Sequence, residues 1–224
     1  EYYNNAGIMM DRNLGATSNL PGDVGTLGLS YQWGRKDPFM SSSSISSESH
    51  DAKATIGFKS VGVYNDKSYG TIEYSIKNPI TKIDGDTDNS DWYYTGTSLV
   101  DNTRWKTSEY EKTIYDPCPF GWRVPDGGPY GIWSLAAGNS EITDYSFDSA
   151  HYGINFRNEF CGDSVVWYPM VYNHAEYWSA TPVSESTSAY CLRVYYIAPK
   201  TYKDFEQGGL RENLGYVRCV KESL

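Results

Sequence analysis

The segment Asp116-Pro117-Cys118-Pro119-Phe120-Gly121-Trp122-Arg123-Val124-Pro125-Asp126 decides how the middle of this chain folds. Proline fixes the backbone angle φ, glycine permits a tight turn, and the cysteine offers a covalent link to a distant strand. These constraints act on the backbone before any tertiary contact forms. We therefore expect a rigid structural knot here.

Composition sets the class of protein around this knot. The chain has 224 residues, of which 39% are hydrophobic and 16% aromatic, with 21 Tyr and 7 Trp. One domain is the default for this length, with a core that is lean in aliphatic residues. Many aromatic residues are typical of a loop-rich, strand-containing extracellular module rather than of a helical enzyme.

The charge balance argues against two kinds of partner. The 28 acidic and 19 basic residues give a formal net charge of -9. This charge repels phosphate backbones and anionic membrane surfaces, and no basic patch is visible in the sequence. No apolar run approaches the roughly 20 residues that cross a bilayer. We expect neither nucleic-acid binding nor membrane insertion of this segment.

Local patterns predict short helices and strands. A helix is expected over 132–137, stopped by Gly138, and another short helix over 109–112, before the prolines of the knot. Strand patterns cover 8–10, 165–168, 177–179, 189–195 and 216–220, and the chain returns to order at 31–33 after a loop. Helices set apart from antiparallel strands indicate the α+β class.

A serine-rich stretch interrupts this order. Residues 41–47 read Ser-Ser-Ser-Ser-Ile-Ser-Ser, which buries too little apolar surface to offset chain entropy. We expect an irregular insertion from about 40 to 110, with 41–49 exposed. Short strands are predicted inside it at 62–64 and 71–75.

Several short motifs carry a family resemblance. They are the knot, Met10-Asp11-Arg12-Asn13-Leu14-Gly15-Ala16, Tyr31-Gln32-Trp33-Gly34-Arg35, Tyr177-Trp178-Ser179-Ala180-Thr181-Pro182 and Val217-Arg218-Cys219-Val220-Lys221. Together they resemble the Fibrobacter succinogenes major paralogous domain, a module of exported proteins also found in Bacteroidetes surface and pilus-like proteins. The resemblance implies one C-type lectin-like domain over 1–224, with terminal strands brought together and long irregular loops.

The four cysteines, Cys118, Cys161, Cys191 and Cys219, contain no CxxC pair, which favours disulfides over zinc and indicates an oxidising compartment. Three pairings are open from the sequence alone. The resemblance implies that Cys118 bonds to Cys219, which leaves Cys161 for Cys191. Buried thiols are the alternative.

The motif tryptophans and arginines have two interpretations each. Trp33, Trp122 and Trp178 could stack on sugars, but aromatic residues in strands and knots usually fill a core. Arg123 and Arg218 could hold a carboxylate ligand. Ion pairs with Asp116, Asp126 or Asp11 are the alternative.

The acidic segment 84–91 offers a candidate calcium site. Asp84, Asp86, Asp88 and Asp91 supply the oxygen ligands that calcium prefers. Asn89 replaces the glycine of an EF-hand loop, and Thr95 replaces its closing glutamate. The other interpretation is a solvated acidic turn, with no cofactor. The tripeptides by which C-type lectins bind sugar through calcium do not occur.

Loop aromatic residues are the candidate ligand contacts. Trp92, Tyr93 and Tyr94 are consecutive, so a strand could bury only alternate rings. Trp167 and Tyr168 precede Tyr172, His174 and Glu176, and such rings beside polar groups suit a neutral glycan. The alternative is that these rings pin loops to the core.

Catalytic patterns are sparse. The sequence has three histidines and no GxSxG, HExxH or GKS/T run. We expect a non-enzymatic adhesion or ligand-binding module of an exported bacterial protein, such as a pilus tip subunit on the cell surface or outer membrane. Its expected partners are a glycan or host surface protein and other surface subunits. A structural spacer and a cysteine-dependent enzyme resembling formylglycine-generating enzymes are the alternatives.

Overall fold

The computed structural model describes residues 1–45, 59–86, 90–97, 100–138, 147–156, 160–162, 166–184, 186–197, 200–204 and 208–222. It is a mixed α+β structure in which short strands outnumber helices among these residues. The helices are α1 (Ile72–Lys77) and α2 (Ile132–Ala137), and single 3-10 turns lie at Tyr3–Asn5, Val24–Thr26 and Lys67–Gly70. The strands are β1 (Leu29–Gln32), β2 (Phe39–Met40), β3 (Ser60–Gly62), β4 (Lys82–Asp84), β5 (Trp122–Arg123), β6 (Gly153–Asn155), β7 (Trp167–Pro169), β8 (His174–Pro182), β9 (Ser188–Ile197), β10 (Lys200–Asp204), β11 (Gly208–Leu210), β12 (Leu214–Tyr216) and β13 (Val220–Lys221).

The main sheet has seven strands in the order β10-β9-β8-β12-β1-β2, with β11 added beside β9. Its pairs are antiparallel except for β12 and β8, which run parallel where Tyr216 faces Tyr177. The long hairpin β8–β9 confirms the strand patterns at 177–179 and 189–195. This sheet holds the core between its face and helix α2.

The two ends of the chain meet at the knot. Strand β13 pairs with β5, and Met9 bridges Val220 from the amino-terminal side. The disulfide Cys118–Cys219 closes the same place, so this predicted pairing is confirmed. The knot is therefore the point where the amino-terminal segment, the middle and the last strand are joined.

Asp116 organises the knot from inside. Its carboxylate accepts hydrogen bonds from the backbone N–H groups of Cys118 and Val124, each at 2.8 Å. Burial raises the pKa of this carboxyl group, against the opposing effect of those two hydrogen bonds. The predicted knot therefore turns around a buried carboxylate, which binds backbone N–H groups and not an arginine as the ion-pair interpretation allowed.

Helix α2 follows the sequence prediction closely. It spans Ile132–Ala137 and ends at Gly138, whose φ of 66° places it in the left-handed region. Glycine reaches this region without a steric penalty and so ends a helix cleanly. Ile132, Trp133 and Ala136 are buried in the core, so α2 packs with its apolar face inward.

Several local predictions are wrong. Residues 8–10 form no strand but a single bridge from Met9 to Val220, and the predicted strand 216–220 is divided between the end of β12 and the start of β13. Residues 109–112 form no helix, because Lys106 bridges Lys112 and Tyr110 turns the chain with a φ of 68°. Residues 71–75 form no strand, because the side chain of Thr71 accepts a hydrogen bond from Tyr74 N and caps helix α1. The N-cap at Thr71 therefore favours a helix over a strand for residues 72–75.

The insertion is more ordered than expected. Strands β3 and β4 pair in parallel, and Val63, Ile83 and Trp92 form a small core with Ile72 and Tyr74 packed against it. The prediction of an irregular segment is therefore wrong for this part. Enough apolar and aromatic residues follow the serine run to build a core of their own.

Arg35 anchors the insertion to the main sheet. Its guanidinium donates to the carbonyls of Ser75, Asn78, Pro79 and Thr81, at 2.9–3.4 Å. Three of these acceptors lie at the carboxyl end of α1, where a positive charge is favoured. Burial lowers the pKa of Arg35 to about 10, and the carbonyls replace the water that burial removes.

The serine run begins in the interior. Ser41 and Ser42 are buried, and the hydroxyl groups of Ser30 and Ser41 lie 3.1 Å apart. The prediction of exposure is wrong for these two residues, which directly follow strand β2 and are buried. Residues 46–49 of that prediction lie outside the described residues.

Cys161 and Cys191 are not bonded to each other, so the second predicted disulfide is wrong. Cys161 packs among Tyr2, Phe160 and neighbouring rings, whereas Cys191 lies on β9 in the cluster around Trp178. The two thiols are buried in separate parts of the core, which agrees with the alternative of buried thiols.

Among the described residues, no helix has both the length and the apolar character that crossing a membrane requires.

Candidate functional site

The predicted ligand-contact aromatic residues divide into a buried and a half-buried group. Trp92, Trp167 and Tyr168 have exposed fractions of 0%, 3% and 0%. The indole N–H of Trp92 donates to the Trp33 carbonyl at 2.7 Å, and the Tyr168 hydroxyl lies 2.8 Å from that of Tyr2. The prediction of exposed rings is wrong for these three, which are buried; the indole N–H of Trp167 is buried without a hydrogen-bond partner among the described residues.

Tyr93 and Tyr94 keep part of their rings at the surface. The guanidinium carbon of Arg104 lies 5.0 Å from the centre of the Tyr93 ring, and Lys67 Nζ lies 5.0 Å from that of Tyr94. Each ring therefore has a cation beside it, and both rings also pack against the small core around Trp92. A surface of this kind suits polar ligands better than aliphatic ones.

The candidate calcium ligands are engaged with cations. Asp84 pairs with Lys82, Asp86 pairs with Lys67, and buried Asp91 pairs with Arg211 at 3.0 Å. Burial raises the pKa of Asp91, and Arg211 opposes this effect. Asp88 lies outside the described residues. No group of three metal-ligating side chains occurs in the part of the chain that the structure describes.

The tryptophans and arginines of the family motifs mostly make structural contacts. Trp33 and Trp178 are buried, and Arg123 pairs with Asp126 at 2.8 Å, as the ion-pair interpretation predicts. Arg218 differs, since it is buried and donates to Asn13 Oδ1 and to the Trp167 carbonyl rather than to an aspartate. Its guanidinium carbon lies 3.9 Å from the centre of the Tyr168 ring.

A cavity of about 310 Å³ lies where β1, β12 and β8 meet strand β4 of the insertion. This volume is in the range of small-molecule sites. The cavity is lined by Ser30, Ser42, Lys82, Val171, His174, Ala175, Glu176, Asn213, Leu214 and Tyr216. His174 and Glu176 belong to the predicted glycan site, so the structure places these two where a ligand can reach them.

Glu176 is the most buried acid of the cavity. Its Oε1 accepts from Arg193 Nε at 2.9 Å and lies 3.8 Å from His174 Nε2. Burial raises the pKa of Glu176, and Arg193 opposes this effect. A β-carbon at Gly209 would lie 3.2 Å from Glu176 Oε2, so glycine leaves room for this side chain.

Hydroxyl and amide groups line the opposite side. Ser30 contributes the hydroxyl that contacts Ser41, and burial raises the pKa of the Tyr216 phenol. Lys82 reaches the same cavity while it pairs with Asp84. Asn213 comes from the turn before β12, next to Leu214.

The electrostatics favour a neutral ligand. The Glu176 carboxylate is balanced by Arg193, and the Lys82 ammonium by Asp84. The cavity therefore presents many hydrogen-bonding groups and little uncompensated charge. Polyhydroxylated molecules match such a lining, because each hydroxyl both donates and accepts.

Sequence reasoning missed Ser30, Lys82, Asn213, Leu214 and Tyr216. These residues come from parts of the chain far apart in sequence. The pairing of β12 with β8 and β1 brings most of them together, and the side chain of Gln32 holds β4 with Lys82 beside them. No spacing in the sequence signals such an assembly. The predicted residues Trp167 and Tyr168 were found from a correct segment, but their rings lie in the core beneath it.

Neither buried thiol is among the cavity-lining residues. Searches of protein-family models, of curated proteins and of solved structures give no match to this chain. The site is therefore interpreted from its own geometry.

Proposed function

We propose that this chain is a non-enzymatic binding module of an exported bacterial surface protein, and that it holds a neutral saccharide in the cavity formed by β1, β8, β12 and Lys82. The cavity, with its paired charges and many hydroxyl and amide groups, is the observation that carries this proposal. The ligand is the glycan of a host surface or of a host surface protein, and neighbouring pilus or surface subunits are the other partners.

We further propose the C-type lectin-like fold of the major paralogous domain for this chain. Terminal segments joined at the knot, through the Met9–Val220 bridge and strands β5 and β13, support this assignment. The disulfide Cys118–Cys219 is compatible with an extracellular location, since disulfides persist in oxidising compartments.

A glycan array with matched variants tests the binding proposal. Glu176→Gln and Asn213→Ala change the cavity, whereas Glu109→Gln makes the same chemical change as the first variant on an exposed turn. We expect the protein and Glu109→Gln to bind the same neutral glycans. Both cavity variants should lose about tenfold or more in affinity, as loss of a buried hydrogen-bond partner predicts.

A spacer role is the competing proposal. The burial of Trp92, Trp167 and Tyr168 supports it, because these rings stabilise loops instead of contacting a partner. Equal behaviour of all the variants on the array, or the absence of any bound neutral glycan, would favour the spacer.

A cysteine-dependent enzyme needs a free thiol, and Cys161 and Cys191 are both thiols rather than a disulfide. Both are nevertheless buried, with exposed fractions of 3% and 0%. A nucleophilic thiol needs access to substrate and a setting that favours the thiolate. Slow alkylation of both thiols in the native protein would count against the enzyme.

A further inference from the structure

Arg104 is a buried cation that has few hydrogen-bond partners. Its exposed fraction is 7%. Its Nη2 reaches only the Gly34 carbonyl, at 3.5 Å, and its Nε is buried without a hydrogen-bond partner. It forms no ion pair with any residue in the described ranges. A buried guanidinium normally satisfies its five N–H donors.

Two other arginines of the same region have more hydrogen-bond acceptors than Arg104, although the Nε of Arg35 is also buried without a partner among the described residues. Arg211 donates to Asp91, Asn102 and two carbonyl groups, and Arg35 donates to carbonyls and to Gln32. Arg104 has rings in place of these acceptors. Its guanidinium carbon lies 4.0 Å from the centre of the Tyr115 ring and 5.8 Å from that of the Trp92 ring.

The carboxylates close to Arg104 in sequence or across the small core have other partners. Asp101 accepts from the backbone N–H and the hydroxyl of Thr103, at 2.8 and 2.7 Å. Asp91 pairs with Arg211, and Asp116 binds backbone N–H groups of the knot. None of these three carboxylates pairs with Arg104, whose charge lies among the rings of Trp92, Tyr93 and Tyr115.

The space for Arg104 is built by a glycine. A β-carbon at Gly34 would lie 2.6 Å from the β-carbon of Arg104, and Gly34 has a φ of +82°. The loop after β1 therefore lets the Arg104 side chain lie against its backbone. This arrangement fixes the guanidinium in place before any ligand arrives, which lowers the entropic cost of binding.

The surroundings indicate an acidic saccharide. With rings over it, the guanidinium offers its N–H groups along its edges, which suits the planar oxygens of a carboxylate. Tyr93 and Tyr115 are half-buried, so each offers ring surface next to this cation. Exposed Lys36, which donates to the Ile114 carbonyl beside Tyr115, adds a second positive charge.

We propose that Arg104, Tyr93 and Tyr115 bind the carboxylate of an acidic saccharide on the insertion, at a site separate from the cavity. Tyrosine rings beside the guanidinium favour a sugar over an acidic peptide, because sugar rings stack on aromatic faces while the carboxylate binds the fork. This site does not depend on the neutral saccharide proposed for the cavity.

The test uses 3′-sialyllactose as the probe and lactose as its neutral counterpart. Titration of the full chain is followed by calorimetry and by the NMR signal of the Arg104 Nε–H group. We expect 3′-sialyllactose to bind and to shift this signal, and lactose to leave it unchanged. Equal effects of the two sugars on this signal, or no binding of 3′-sialyllactose at millimolar concentration, would overturn the proposal.

Variants separate charge from geometry. Arg104→Lys keeps the charge but loses the fork, and Arg12→Lys makes the same change at an exposed site. We expect Arg104→Lys to lose about tenfold or more in affinity for 3′-sialyllactose and Arg12→Lys to bind as the parent does. Unchanged binding of 3′-sialyllactose by a folded Arg104→Lys would contradict the proposal. If this variant does not fold, the NMR titration of the parent protein tests the proposal by itself.

A second probe keeps the ligand classes apart. A poly-glutamate peptide should shift the Arg104 signal less than 3′-sialyllactose does. A larger shift of the Arg104 signal with the peptide would indicate that the site binds an acidic protein segment, and this would overturn the proposed ligand class.

Discussion

The side chain of Glu176 is mostly buried, and the electrostatics of the cavity depend on its ion pair with Arg193. Arg193 stabilises the carboxylate, but burial prevails and raises the pKa of Glu176. The folded protein therefore holds this proton more tightly than the unfolded chain does. Charge compensation inside the cavity is thus a property that pH measurements can detect.

The first prediction concerns the pH dependence of Glu176→Gln. A raised pKa in the folded state contributes stability that is complete below the unfolded pKa of about 4.3 and is lost as pH rises through the folded pKa. We expect the parent to lose stability relative to the variant as pH rises above about 4. Urea unfolding of both proteins at several pH values measures this. A difference that stays constant, or that changes in favour of the parent, would show that burial does not dominate.

The second prediction concerns Gly34. Gly34→Ala places a β-carbon against Arg104, whereas Gly96→Ala has a similar φ, +86°, with nothing within 4 Å of the new carbon. The left-handed backbone costs both variants about 1–2 kcal/mol. We expect Gly34→Ala to lose about 1–3 kcal/mol more, from crowding. Thermal and urea unfolding compare them, and equal losses would mean that Arg104 moves aside freely.

At the scale of elements, the insertion is held by side-chain to backbone bonds rather than by a long shared sheet. Arg35 reaches the carboxyl end of α1, and Gln32 bonds Ile83 in β4 through both its amide nitrogen and its oxygen. These contacts fix β4, and with it Lys82, against the main sheet. The cavity needs this placement because Lys82 is one of its walls.

The third prediction tests the Arg35 anchor. Arg35→Lys keeps a positive charge but cannot reach several carbonyls at once, so it should lower stability by about 2–3 kcal/mol. Amide hydrogen exchange should become faster in α1, β3 and β4, with β8 and β9 little changed. Arg12→Lys is the matched control at an exposed site. Unchanged protection in α1 would show that the small core around Trp92 holds the insertion by itself.

Elements with local signals were predictable from sequence. The knot, helix α2 with Gly138, and strand β9 are fixed by proline, by a left-handed glycine and by alternation. The burial of Trp92 and Tyr168 was not predictable from the sequence. Their hydrogen-bond partners, Trp33 and Tyr2, lie far away along the chain. Of the cavity-lining residues, His174 and Glu176 were predicted from one segment. Asn213 comes with strand β12, and Lys82 is placed by the side-chain contacts that hold β4.

At the scale of the whole molecule, one covalent link joins parts of the chain 101 residues apart. A loop of this length is expected to stabilise the fold by about 4–5 kcal/mol in the chain-entropy model. The other two cysteines contribute packing in separate regions of the core. The covalent framework is therefore simpler than four cysteines would allow.

The fourth prediction is a thiol count. Titration of the unfolded, unreduced protein should find two thiols per chain, and reduction should raise the number to four. In the native protein both thiols should react slowly because they are buried. A count of zero before reduction would show that Cys161 and Cys191 are oxidised, contrary to the structure.

The proposal that a neutral saccharide binds in the cavity at the junction of β1, β8 and β12 is tested most directly by a crystal structure of the protein with the strongest neutral binder from the array. We expect sugar density within hydrogen-bonding distance of Glu176 and Asn213, with Lys82 still paired to Asp84. Sugar density at any other surface, with only water in this cavity, would contradict the proposal.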